Sequence, residues 1–129
     1  MIVDLNDLIG KPFDQDGYGP DKYSCYGLAV EVYKRFGFDI PKTNISVCAC
    51  KEASEKELQF LLAKSWIKTD MLEVPSFILI ASRNPEFANH VGVYIGNDRF
   101  IHITINRNTV IDRLSNWKKR IIGFYRYVC

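Results

Sequence analysis

The chain has 129 residues, 47% of them hydrophobic, and a formal net charge of +2. That length suits one domain with an ordinary core, and the composition excludes a disordered chain. The charge is too small to argue for a nucleic-acid partner, and the longest apolar run, Phe77-Ile78-Leu79-Ile80-Ala81, is strand-sized rather than membrane-spanning.

In chain order, Val3 to Ile9 is expected to form a short helix leading into Gly10-Lys11-Pro12, and Asp16 to Asp21 forms a polar, glycine-containing loop that suits the lining of a substrate groove. The next element is the clearest. Cys25, Leu28, Ala29, Val32, Tyr33 and Phe36 recur at the spacing of one helical face, and Glu31, Lys34 and Arg35 fall opposite. Asp21 or Ser24 can cap its start, and Gly37 followed by Pro41 stops it, so a helix is predicted over about 24–36. A second helix is predicted over about 53–64, where Ser54 and Glu57 form a capping box. Strands are expected at about 76–82, 90–95, 99–105, 108–112 and 121–128, with Arg83 to Asn89 a loop just ahead of the second. Helices first and strands afterwards give an α+β domain over 1–129, with N-terminal helices packed on an antiparallel β-sheet. There is no repeat, low-complexity tract or linker. The basic run Lys118-Lys119-Arg120 reads as a solvated surface turn.

The chain has only two histidines, His90 and His102, on the two strands flanking the turn signal Gly96-Asn97-Asp98. Alternation places Val91, Val93, Ile95, Ile101, Ile103 and Ile105 on one face and His90, Gly92, Tyr94, Phe100, His102 and Thr104 on the other. A turn symmetric about Gly96 sets the two histidines nearly opposite each other. Cys25, in the first turn of its helix, sits where the helix dipole and unpaired N–H groups favour a thiolate. A thiol with an imidazole base, itself oriented by a further polar group, is the kit of nucleophilic amide cleavage. In that arrangement Cys25 is the nucleophile, His90 the base and His102 the orienter.

Of the four cysteines, Cys48 and Cys50 read as small buried hydrophobes and Cys129 as incidental. A zinc site of Cys25, His90 and His102 is the weaker alternative, since structural zinc takes four ligands. No metal or organic cofactor is implied.

Tyr23-Ser24-Cys25-Tyr26-Gly27-Leu28-Ala29 resembles the nucleophile motif of the NlpC/P60 cysteine peptidases. His90-Val91-Gly92-Val93-Tyr94-Ile95-Gly96-Asn97 and Phe100-Ile101-His102 resemble that family's histidine motif and third catalytic position. Gly10-Lys11-Pro12-Phe13 and Pro20 stand at the family's distances from the cysteine, and Ile122-Gly123-Phe124-Tyr125-Arg126 looks like the end of phage-borne members. The resemblance implies a papain-like fold and a cysteine peptidase or amidase that hydrolyses amide bonds in bacterial peptidoglycan stem peptides through a Cys-His-His site.

It also points to substrate-binding positions. The family usually carries Asp before the cysteine, associated with gripping the substrate's amine, and Ser after it; here these are Ser24 and Tyr26. Where the family often has a Tyr linked to the oxyanion site, this chain has Phe13, which donates no hydrogen bond, so Tyr18, Tyr23 or Tyr26 is left to supply a hydroxyl. The competing reading is a non-catalytic phage tail or wall-binding module that kept the fold. Related papain-like permutations transfer lipid acyl groups, but the cysteine precedes the histidine here, which is the peptidase order. No charged-then-apolar leader is evident at the N-terminus. The expectation is a monomer made in the cytoplasm that reaches the wall by phage-, lysis- or secretion-system-mediated delivery, with phage tail proteins or an immunity protein as candidate partners.

Overall fold

In the computed structural model, residues 3–14, 16–40, 66–81, 90–104 and 107–128 are described. The strands are β1 (Trp66–Thr69), β2 (Ser76–Ile80), β3 (His90–Gly96), β4 (Arg99–Thr104), β5 (Asn108–Arg113) and β6 (Ile121–Tyr127). They form one sheet in the order β1-β6-β2-β3-β4-β5, with every neighbouring pair antiparallel. Helix α1 (Cys25–Arg35) packs on β3 and β4. This is the α+β architecture expected.

The bounds of α1 follow from its caps. Ser24 is extended, and its hydroxyl accepts a hydrogen bond from the Gly27 N–H, satisfying one of the orphan donors of the first turn. Lys34 and Arg35 lie in the last turn, where cations favour the dipole, and Gly37 follows at φ +94°. The apolar stripe is buried: Leu28 and Ala29 are 1% exposed and Val32 is 0% exposed. Burial of each large aliphatic side chain contributes about 2 kcal/mol. On the polar side, Arg35 donates to both carboxylate oxygens of Asp7, to Glu31 and to the Asp4 carbonyl, so the helix also holds the N-terminal segment.

The two sheet faces have different covers. Phe77, Leu79, Val91, Val93, Ile101 and Ile103 pack with Cys25, Tyr26, Leu28 and Val32 in the main core. On the reverse face Ile78, Ile80, Phe100 and Leu114 form a second cluster, flanked by Tyr94, Trp117, Ile121 and Phe124. All five residues of β2 are buried because both of its faces are covered, so Phe77 to Ile80 read as a continuous apolar run without alternation.

Three elements differ from expectation. The helix expected over Val3 to Ile9 is one 3-10 turn, Asn6–Leu8. Its start is diverted by the Asn6 N–H donating to the Asp4 carboxylate, and Gly10 at φ +87° ends it, which leaves too few residues to nucleate an α-helix. Leu5 and Leu8, three apart, are the buried pair, as the threefold repeat of a 3-10 turn requires. Strand β1 was not predicted: only Trp66 of its four residues is buried, so it lacks the alternation that marks a strand. Lys118-Lys119-Arg120, expected as a turn, closes a 3-10 helix, Leu114–Arg120, with all three side chains exposed. The helix expected over 53–64, the loop over 83–89 and the residues Cys48, Cys50 and Cys129 lie outside the described residues.

Candidate active site

The turn between β3 and β4 is centred on Asn97 and Asp98, both with positive φ (54° and 62°), the backbone of a two-residue hairpin loop. The register begins as Gly96↔Arg99 but continues as Tyr94↔Phe100 and Val93↔Ile101, so Ile95 is an extra residue, a bulge. Continuing that register sets Gly92 opposite His102, and His90 one diagonal step beyond. A Cβ built on Gly92 would lie 3.3 Å from the His102 Cβ and 2.8 Å from the Phe100 ring, so only glycine lets that ring and His102 lie so close to β3. The histidines are therefore diagonal neighbours rather than nearly opposite, on one face and in reach of each other.

They meet directly. His90 Nε2 and His102 Nδ1 are 2.8 Å apart, and the residues are 2% and 0% exposed. The His102 ring stacks on Phe100, with centroids 4.4 Å apart, and meets Trp117 edge-on at 4.9 Å. Its other nitrogen, Nε2, is 2.7 Å from the Asp112 carboxylate on β5. Arg107 donates to both oxygens of that carboxylate at 2.9 and 3.0 Å. Burial first, and the neighbouring His90 second, push the His102 pKa down to about 4, against the upward pull of Asp112, so the ring is neutral at physiological pH. For Asp112 partial burial pulls upward, but the hydrogen bonds from Arg107 and His102 outweigh it and hold the carboxyl below its ordinary range.

At the cysteine end, α1 emerges from a knit loop. Tyr23 N–H donates to the Pro12 carbonyl and Asp14 N–H to the Tyr23 carbonyl. Both the N–H and the hydroxyl of Ser24 donate to the Gly17 carbonyl, at 2.9 and 3.2 Å. Cys25 is 2% exposed at the first position of the helix, among the main-core residues of β3 and β4. Thus the helix bearing the thiol packs on the two strands bearing the imidazoles. Among the described residues no group of three or more His, Cys, Asp or Glu is arranged to hold a metal ion, and no helix is long and apolar enough to cross a membrane.

The family model for the NlpC/P60 family matches residues 10–126. The chain belongs to the NlpC/P60 family. Similar proteins include probable endopeptidase p60 of Listeria welshimeri, 26% identical over 128 residues, covering 98% of this chain and 21% of that protein. Murein DD-endopeptidase MepS/Murein LD-carboxypeptidase of Escherichia coli is 24% identical over 99 residues, covering 74% of this chain and 45% of that protein. The chain thus spans less than half the length of these curated relatives. Among solved structures, an NlpC/P60 family protein from Bacillus cereus superposes with a TM-score of 0.64 at 21% identity, covering 99% of this chain and 42% of that one. The NlpC/p60 domain of the peptidoglycan hydrolase SagA superposes with a TM-score of 0.60 at 17% identity, covering 94% and 91%. These likenesses show the papain-like α+β fold.

The residues singled out beside the NlpC/P60 motif have distinct placements. Tyr26 is 1% exposed, with its ring edge-on to Phe77 and its phenol pKa raised by burial. Tyr23 is 2% exposed and forms backbone bridges with Phe13 and Tyr18; Phe13 itself is half-buried. Ser24, where the family usually has an acid, commits its hydroxyl to the Gly27 N–H and the Gly17 carbonyl. Asp112 and Arg107 were missed by sequence reasoning. The available signal was a carboxylate on a strand next to that of His102: the register Phe100↔Asp112 and His102↔Val110 makes Asp112 a diagonal neighbour of His102.

The depressed His102 pKa predicts an acid-sensitive fold. Unfolded His102 titrates near its ordinary value of 6.5, whereas the native ring takes its proton only at about 4. Between these values the unfolded chain binds the additional proton, so stability is full above pH 6.5 and falls as pH drops through this window, by about 3 kcal/mol for this group. Urea unfolding at pH 7 and pH 4.5 should show a steeper loss in wild type than in His102→Gln. Equal losses in the two proteins would remove His102 as the cause.

Proposed function

We propose that this chain is a cysteine peptidase or amidase that hydrolyses amide bonds in peptidoglycan stem peptides, with Cys25 as nucleophile, His90 as general base and acid, and His102 as orienter. The observation carrying this reading is the buried His90–His102 contact at 2.8 Å on the strands against which the Cys25 helix packs. The names of the relatives, endopeptidase p60 and murein endopeptidase MepS, support the substrate class.

In this reading His90 accepts the Cys25 proton and the thiolate attacks the amide carbonyl carbon, forming a C–S bond. Helix-terminal N–H groups, that of Cys25 included, face the developing oxyanion. The C–N bond then breaks as the His90 imidazolium protonates the leaving amine. Water, deprotonated by His90, attacks the thioester; the C–S bond breaks and the thiol is restored. Ser24, Tyr23, Tyr26 and Phe13 frame the cysteine end. With the Ser24 hydroxyl held by backbone and no acid in its place, the site accepts wall peptides without a carboxylate grip on the substrate amine.

The test is digestion of purified peptidoglycan and of defined stem peptides by wild type and Cys25→Ala in parallel, with products read by mass spectrometry. Wild type should release new amine termini and Cys25→Ala none. Absence of cleavage by folded wild type on every substrate would replace this reading with a non-catalytic wall-binding or phage tail module.

A further inference from the structure

We propose that Asp112, clamped by Arg107, is a positioning residue that sets the order of protons along the His90–His102 chain, so that the base nitrogen of His90 is left bare for the thiol. The inference rests on the Cys-His-His reading above and adds two residues that act only through other groups.

The Asp112 carboxylate is ionised, because both oxygens receive hydrogen bonds from the Arg107 guanidinium. An ionised carboxylate only accepts, so at the 2.7 Å contact His102 Nε2 must be the donor. A neutral imidazole carries one N–H. With that proton on Nε2, His102 Nδ1 is a bare acceptor. This Nδ1 lies 2.8 Å from His90 Nε2, so His90 must carry its own proton on Nε2 and donate it. Neutral His90 then presents a lone pair at Nδ1.

The consequence is chemical. When His90 Nδ1 takes the thiol proton, the imidazolium keeps its Nε2–H on His102 Nδ1, and nothing in the chain has to turn round. The proton moves from Sγ to His90 Nδ1 and on to the leaving nitrogen, while His102 and Asp112 keep theirs. Without the carboxylate, the reversed order becomes accessible: His102 carries its proton on Nδ1 and donates it to His90 Nε2, leaving His90 Nδ1 protonated and unable to act as base. Burial makes the choice binary, since His102 is 0% exposed and has no bulk water to satisfy a misplaced N–H. The same logic separates this role from plain packing: Phe100 and Trp117 hold the His102 ring plane, but neither can tell one nitrogen from the other.

The test reads the protons directly. Nitrogen-15 NMR of the two imidazoles in wild type at pH 7 should show both as Nε2–H tautomers. In Asp112→Leu, His102 should shift toward Nδ1–H, and iodoacetamide alkylation of Cys25 should slow by at least about tenfold. Asp112→Glu, which restores a carboxylate, should recover the wild-type ring pattern at least in part. Wild type with the His90 proton on Nδ1 overturns the proposal by itself, even if the variants do not fold. So does a folded Asp112→Leu protein with the wild-type ring pattern, whatever its alkylation rate. Neither readout uses a peptide substrate, so the proton order stands or falls separately from cleavage of wall peptides.

Discussion

Gly27→Ala is expected to destabilise the protein by about 3 kcal/mol, although alanine is the better helix former by about 1 kcal/mol. A Cβ at position 27 would lie 1.9 Å from the Gly17 carbonyl oxygen and 3.0 Å from Ser24 Oγ. The Gly17 oxygen is backbone, so no rotamer change relieves the overlap. It is also the acceptor for the Ser24 N–H and hydroxyl, and moving it away costs those two bonds and loosens the cap that Ser24 places on Gly27. The shift falls two residues from Cys25, and displacement of a reacting group by about 1 Å costs roughly a hundredfold in rate. A urea midpoint near wild type together with retained Cys25 alkylation would show that the Gly17 carbonyl and Ser24 do not clamp the helix start.

In the proposed Cys-His-His reading, His102→Ala should lower kcat/KM for stem-peptide cleavage by about 10² to 10⁴, because the His90 base loses the group that orients it. Truncation leaves His90 Nε2 without its 2.8 Å partner and takes from Asp112 its 2.7 Å donor. It also empties a slot between Phe100 and Trp117, so about 3 kcal/mol of stability should go with it. His102→Gln, which can still accept at one end and donate at the other, should fall between wild type and His102→Ala in both quantities. Activity of the alanine variant within about threefold of wild type would reduce His102 to a packing residue.

Much of the candidate site was legible before any coordinates. The amphipathic period placed Cys25 at the start of a helix, and the observed element, Cys25–Arg35, ends where Ser24 and Gly37 said it would. Period-two alternation put both histidines on one hairpin, away from the aliphatic face. The family likewise could be read from motif order, and the match over residues 10–126 agrees. These features were accessible because each is local: a cap, a stripe or a turn is specified within a dozen residues.

What stayed hidden depends on neighbours distant in sequence or on a single-residue slip. Strand β1 exists because β6 offers it an edge, with Trp66 facing Tyr127; Trp66, Ile67 and Thr69 favour strands, but four residues with one buried position are too few to show a period. The hairpin is more instructive. A loop centred on Asn97-Asp98, continued without interruption, would pair residues whose numbers sum to an odd value, and His90 and His102 would fall on opposite faces. The extra residue, Ile95, restores an even sum from Tyr94↔Phe100 onward and returns both histidines to one side. The assumed symmetric turn reached the right face by a wrong register.

Asp112 and Arg107 join the candidate site only through the pairing of β5 with β4 and the return of the Arg107 guanidinium, just ahead of β5, onto Asp112. The sequence by itself thus pointed to the candidate side chains and to the kinds of element they ride on, since amphipathic period and turn composition are local properties. The tertiary structure alone decided how the two histidines and Asp112 meet, because strand register is settled only when the sheet closes around them.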